Sequence, residues 1–179
     1  GQNLISVLHT LYTTDRYFKQ EINNAMNAAF GDDFDELVFP PASDQRIQLR
    51  IRWKSLSKEQ SSSDLSDGLL RFLFLLTIFA SPTPAPVIAI DEPETGIHPG
   101  MLRILVEFAK KASKQSQIIF TTHSPLLLDA FKDATPVITA AKWLDGQTIL
   151  KVIDGDELKK WLSEYSFGRL YYEGKLDTM

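Results

Sequence analysis

Apolar residues recur at helical spacing over two successive segments near the start of the chain, from Asn3 to Tyr12 and from Asp15 to Phe30. In the second segment Phe18, Ile22, Met26 and Ala29 form one stripe, so the pattern predicts two amphipathic helices. The run GDDFDE breaks that period. From Arg46 to Lys54 strict alternation takes over, with Ile47, Leu49, Ile51 and Trp53 on one face and Arg46, Gln48, Arg50, Arg52 and Lys54 on the other. A two-residue period of this kind predicts a half-buried strand. The polar stretch SLSKEQSSSDLSDG reads as a loop, and the apolar helix LLRFLFLLTIFA begins at its final glycine, Gly68.

SPTPAP cannot be helical, and it leads into VIAI from Val87, an uninterrupted apolar run suited to a central parallel strand buried on both faces. Asp91 and Glu92 stand at its end. Pro99 opens an amphipathic helix whose apolar face is Met101, Leu102, Leu105, Phe108 and Ala109, and QIIFTT from Gln117 predicts a second buried strand. Strand, helix, strand implies a parallel crossover, with both strand ends opening onto one edge of the sheet. Further on, Ser124 and Pro125 supply the cap and first turn of a short helix. Val137 to Trp143 and Thr148 to Ile153 predict a hairpin around Asp145 and Gly146, and Asp156 to Tyr165 a closing helix.

Composition narrows the classes. With 179 residues, 44% hydrophobic and 23% charged, the chain can bury one core and is read as a single lobe over 1–179. Within it, 1–60 is a helical and strand subregion, 61–135 the chemistry-bearing core, and 136–179 a hairpin and helix. A net charge of −4 leaves no global positive field for nucleic acid. The absence of cysteine excludes disulfides and thiolate metal sites. The longest apolar run stops at about a dozen residues, short of the ~20 that cross a bilayer, so no membrane partner is expected. The N-terminal segment carries no basic leader, which fits a cytoplasmic location.

Three segments carry chemistry. In VIAIDEPETGIHPG, a buried strand delivers two adjacent carboxylates: Asp91 can reach a magnesium ion through its water shell, and Glu92 can polarise an attacking water. Standing alone, such a pair more often simply ends a strand. In IIFTTHSPLLLDAF, His123 follows a parallel strand and can donate to a terminal phosphate, although a lone histidine there is more often structural. In DLSDGLLRFLFLL, Ser66 and Gly68 precede a long helix whose first amides suit an anion, and equally make an ordinary helix cap.

Taken in order, LSDGLLR, VIAIDEPETGIHPG and IIFTTHSPLLLDAF resemble the ABC-type ATPases of the RecF, SMC and overcoming-lysogenization class, most closely the AAA-21-like bacterial ATPases. The resemblance runs the length of the chain, from GQNLISVL to FGRLYYEGKL. It implies an α/β fold, the C-terminal lobe of a P-loop NTPase with a mostly parallel sheet flanked by helices. It also implies ATP hydrolysis with Mg2+, and a homodimer that sandwiches nucleotide. Residue by residue, it implies Asp91 as the Walker B aspartate, Glu92 as catalytic base, Glu94 to His98 as the D-loop and His123 as the switch histidine. Ser66, Asp67 and Gly68 become the signature loop, which in this family contacts nucleotide held by the other protomer. Arg71 anchors that loop or the partner's nucleotide. Asp67 departs from the glycine that transporters place there.

No G-x-x-x-x-G-K-[ST] occurs in the sequence. Without that loop and its lysine the phosphates lose their main cradle, so the chain alone is expected to bind ATP poorly. Either a Walker A-bearing segment completes a composite site, or the lobe serves protein interaction without catalysis. The retained Asp91, Glu92 and His123 favour the composite site. The basic face of Arg46, Arg50, Arg52 and Lys54 could meet a nucleic-acid backbone but is more simply a solvated strand face. The acids of DGDE near Asp154 are followed by too little chain for the nuclease domain that overcoming-lysogenization proteins carry.

Overall fold

Asp15 ends one helix and starts the next. Its extended backbone (φ −116°, ψ 110°) separates α1 (Leu4–Thr14) from α2 (Arg16–Phe30), and its side chain caps α2 by accepting from the Phe18 amide at 2.9 Å. The predicted stripe is inward: Phe18, Ile22, Ala25 and Met26 are buried, with Leu8 and Tyr12 of α1. The computed structural model describes residues 3–41, 46–131, 136–153, 155 and 166–173. The chain divides into two compact units, Gly1–Thr121 and Thr122–Met179, a division that falls inside the subregion 61–135.

In the first unit, β1 (Phe34–Val38), β2 (Arg50–Trp53) and β3 (Gln60–Ser61) form an antiparallel sheet in that order. The predicted strand from Arg46 to Lys54 is therefore shorter, but its facing is as expected: Leu49, Ile51 and Trp53 are buried. Ile47 contributes only an isolated bridge to Pro41. β1 escapes a simple alternation test because its register shifts between Phe34 and Glu36, so that buried Phe34 and Leu37 stand three residues apart. The polar loop after β2 also contains β3 and a short 3₁₀ turn at Ser62–Asp64.

The long apolar helix α3 (Asp67–Phe79) starts one residue before the expected glycine, because Ser66 takes the N-cap and accepts from the Leu69 amide at 3.2 Å. Its residues Phe72, Leu73, Leu75 and Leu76 lie at the centre of the unit's core, and α1, α2 and α4 pack against it. Buried Thr77 returns its hydroxyl to the Leu73 carbonyl at 2.7 Å, leaving no unpaired polar group there. β4 (Val87–Asp91) and β5 (Gln117–Thr121) pair in parallel, joined through α4 (Pro99–Ala112), which buries Leu102, Leu105, Phe108 and Ala109.

One expectation is corrected. β4 is not buried on both faces: Ile88 is 7% exposed and turned to the core, whereas Val87 is 53% exposed and Ile119 of β5 is 45% exposed. β4 and β5 form a two-stranded sheet, so no described element covers the opposite face. The apolar run reports what the strand can tolerate on each side, and does not report whether both sides are covered.

In the second unit, α5 (Pro125–Ala130) is capped by Ser124, with Pro125 in its first turn. The hairpin of β6 (Thr139–Leu144) and β7 (Gln147–Val152) turns through Asp145 (φ 50°) and Gly146 (φ 82°), two left-handed residues as a tight primed turn requires. A last helix, α6 (Phe167–Tyr172), packs on α5, where the Gly168 amide donates to Asp129 Oδ1 at 2.6 Å. The closing helix expected from Asp156 to Tyr165 lies outside the described residues. Among the described residues no helix is long and apolar enough to cross a membrane.

Candidate functional site

The parallel register sets Asp91 directly beside Thr121, since β4 and β5 pair residue for residue from Val87 with Gln117. Thr121 donates its hydroxyl to Asp91 Oδ1, and its carbonyl accepts from the Glu92 amide at 3.1 Å. Two adjacent carboxylates are thus delivered at the carboxyl end of a parallel pair, both solvent-accessible and held from below by backbone and hydroxyl bonds.

Glu92 leaves the strand in a left-handed conformation, φ 42°, unusual for a residue with a Cβ. Strain of this kind costs on the order of 1–3 kcal/mol and persists only where neighbours over-determine the backbone. Two neighbours, through three hydrogen bonds, do so. The Thr95 amide donates to the Glu92 carbonyl at 3.1 Å, Arg71 Nη2 donates to the same oxygen at 2.8 Å, and Thr95 Oγ1 donates to Glu92 Oε2 at 3.2 Å. Arg71 Nη2 also lies 3.3 Å from the Asp91 carbonyl. The turn continues through Gly96 (φ 75°) to Ile97, whose amide donates to the Glu94 carbonyl at 3.0 Å, and to His98, which caps α4 by accepting at Nδ1 from Gly100.

The first turn of α3 lies against this turn. A Cβ on Gly68 would stand 2.1 Å from the Gly96 carbonyl oxygen, so only glycine permits the approach. The structure therefore brings Gly68, Arg71, Asp91, Glu92 and the segment Glu94 to His98 into one cluster of the first unit. Ser66 serves as helix cap, and Asp67 begins the first turn beside it. His123 belongs to the second unit, where its Nδ1 lies 3.4 Å from the Tyr171 hydroxyl.

Sequence reasoning did not name Thr121, and it included Thr95 and Gly96 only as part of the Glu94 to His98 segment. The signal for Thr121 was present: the two five-residue strands, aligned from their starts, set it opposite Asp91. The individual contacts of Thr95 and Gly96 become visible only once the turn is built.

Among the described residues no cluster of three or more His, Asp or Glu could enclose a metal. Magnesium takes one or two protein carboxylates and fills its remaining positions with water and phosphate oxygens, a donor set to which exposed Asp91 could contribute. On the basic strand face Arg50 and Arg52 are paired with carboxylates. Arg52 donates to Glu36 and, at 2.8 Å, to Glu59, and its bond to Glu59 raises its pKa above the usual guanidinium value. Arg50 lies 3.7 Å from Glu59. A surface depression lined by Phe18, Phe79, Pro84, Phe108 and Lys111 sits at the far end of α3 from Asp67, away from this chemistry.

Solved structures with the same fold include those of SMC ATPases and SMC heads. One, from work on ATP-driven dimerization and DNA-stimulated activation of SMC ATPases, is 15% identical over 87% of this chain and 95% of its own, with a TM-score of 0.61. The Smc head of Pyrococcus furiosus bound to the C-terminal domain of ScpA is 17% identical, with a TM-score of 0.63, over 87% of this chain and 39% of its own. The Thermotoga maritima SMC head is 17% identical, with a TM-score of 0.53, over 82% of this chain and 51% of its own. The chain thus spans about half or less of the length of two of these heads. At such identities the likeness establishes the fold, that of the P-loop NTPase head. No curated protein matches the sequence significantly. The family model described as "AAA domain, putative AbiEii toxin, Type IV TA system" matches residues 8–129, well over half of the chain, and the chain belongs to that ATPase-type family.

Proposed function

We propose that this chain supplies the Walker B, D-loop, signature and switch-histidine parts of an ATP-hydrolysing site, which a Walker A-bearing segment completes. The observation that carries this reading is the cluster at the carboxyl end of β4, where exposed Asp91 and half-buried Glu92 share one braced turn that lies against the first turn of α3. Carboxylates placed there have a use in phosphoanhydride hydrolysis and no evident use in the core.

Asp91, with Oδ1 engaged by Thr121, keeps Oδ2 for the water shell of a magnesium ion. Magnesium, when bound, supplies charge neutralisation on the phosphate oxygens. Glu92 accepts a proton from the attacking water, and the bond from Thr95 orients its carboxylate. Ser66 and Gly68 present the signature loop to nucleotide held by a second protomer, and His123 donates to the terminal phosphate. A homodimer closed around two ATP molecules is the assembly this division of parts requires.

The test is ATP binding and turnover by the chain alone and by the chain joined to a Walker A-bearing segment. Turnover only in the joined protein, with Glu92→Gln retaining ATP binding and lowering turnover at least about a hundredfold, is the expected result. ATP binding by neither form would instead make the lobe a non-catalytic interaction module.

A further inference from the structure

The Glu92 backbone is the most constrained point of the site, and the side chain that constrains it comes from another element. Arg71 is in the second turn of α3, 21 residues before Glu92 in sequence, and its Nη2 reaches both carbonyls of the turn. The Glu92 carbonyl also accepts from the Thr95 amide, so Arg71 adds a donor from a separate element to a bond made within the turn. A non-glycine residue at φ 42° relaxes to the right-handed or extended region unless it is held. Glu92 also precedes Pro93, which disfavours the right-handed region, so the accessible alternative is an extended backbone. Such a change would swing the carboxylate away from Thr95.

We propose that Arg71 is the positioning residue for Glu92: its guanidinium, donating to the Asp91 and Glu92 carbonyls, holds Glu92 in the left-handed conformation and fastens the signature helix to the Walker B turn. The contact of Gly68 with the Gly96 carbonyl makes a second fastening between the same two segments. The first turn of α3 and the 91–98 turn therefore move together. A displacement of the signature loop by nucleotide shifts the Glu92 backbone directly, without passing through the sheet. Arg71 acts through Glu92, with its bonded nitrogen, Nη2, facing the turn.

The consequence for hydrolysis rests on Glu92 being the base, whereas the structural claim does not. Two readouts separate them. Amide hydrogen exchange on the 179-residue chain compares wild type with Arg71→Ala and Arg71→Lys. Protection of the Thr95 amide should fall about tenfold or more in Arg71→Ala, with partial recovery in Arg71→Lys and unchanged protection at Leu105 inside α4. Unchanged Thr95 exchange in a folded Arg71→Ala chain would overturn the proposal, and Arg71→Lys decides the matter in the same way should the alanine variant not fold. In the Walker A-completed protein, Arg71→Ala should lower kcat roughly ten- to hundredfold, the cost of a misplaced catalytic group, with KM for ATP little changed. A raised KM with kcat intact would instead make Arg71 a nucleotide contact. Absence of turnover in the wild-type completed protein would count against the hydrolytic reading alone, leaving the exchange result to stand for Arg71.

Discussion

Individual side chains decide how firmly the site is held, and Gly68 is the sharpest case. A methyl group there meets a backbone oxygen, which cannot rotate away as a side chain could. Gly68→Ala should therefore destabilise the chain by about 1–3 kcal/mol, the range for overpacking a tight contact, read as a lowered urea midpoint. Tyr12 makes a different prediction. Burial raises its pKa above the ordinary 10.0, and its hydroxyl donates to Asn23 Oδ1 at 2.6 Å. A raised folded-state pKa means that its contribution is complete below the unfolded value near 10 and is lost as pH rises through the folded value. Stability should thus hold to about pH 10 and decline above it, and Tyr12→Phe should cost about 1 kcal/mol at neutral pH while flattening that alkaline decline.

At the scale of elements, β4 and β5 show how a strand's composition and its burial part company. Both are apolar, yet their outward residues Val87 and Ile119 meet solvent while Ile88 faces the core. The double substitution Val87→Thr with Ile119→Thr should change stability by no more than about 0.5 kcal/mol, whereas Ile88→Ala should cost about 2–5 kcal/mol in the same denaturation assay. Helix boundaries were legible wherever a cap was explicit: Asp15, Ser66, Ser124 and Pro99 each stand where a helix begins. β1 was illegible because a bulge disturbs its period, and β3 because two residues carry no period at all.

For the molecule as a whole, the sequence contains no glycine-rich loop followed by lysine, and the proposed function gives ATP binding to the protein joined to a Walker A-bearing segment. ATP with magnesium should leave the Tm of the chain alone unchanged and raise it in the joined protein, since a ligand that binds only the native state stabilises it by mass action. The exposed apolar face of β4 and β5, Val87 with Ile119, is part of the same picture, because a parallel pair of this kind normally sits inside a larger sheet covered on both sides.

By itself the sequence determined the helices α1 to α5, the strand–helix–strand order and the three segments that carry Asp91, Glu92, Ser66, Gly68 and His123, because periodicity, caps and motif spacing are local properties of a chain. Only the tertiary structure decided that Asp91 pairs with Thr121, that Glu92 is held at φ 42° by Arg71, and that Gly68 abuts Gly96. Those contacts join residues from about 20 to 30 positions apart, and the distance between them is set by how α3 and the sheet pack, which no local pattern records.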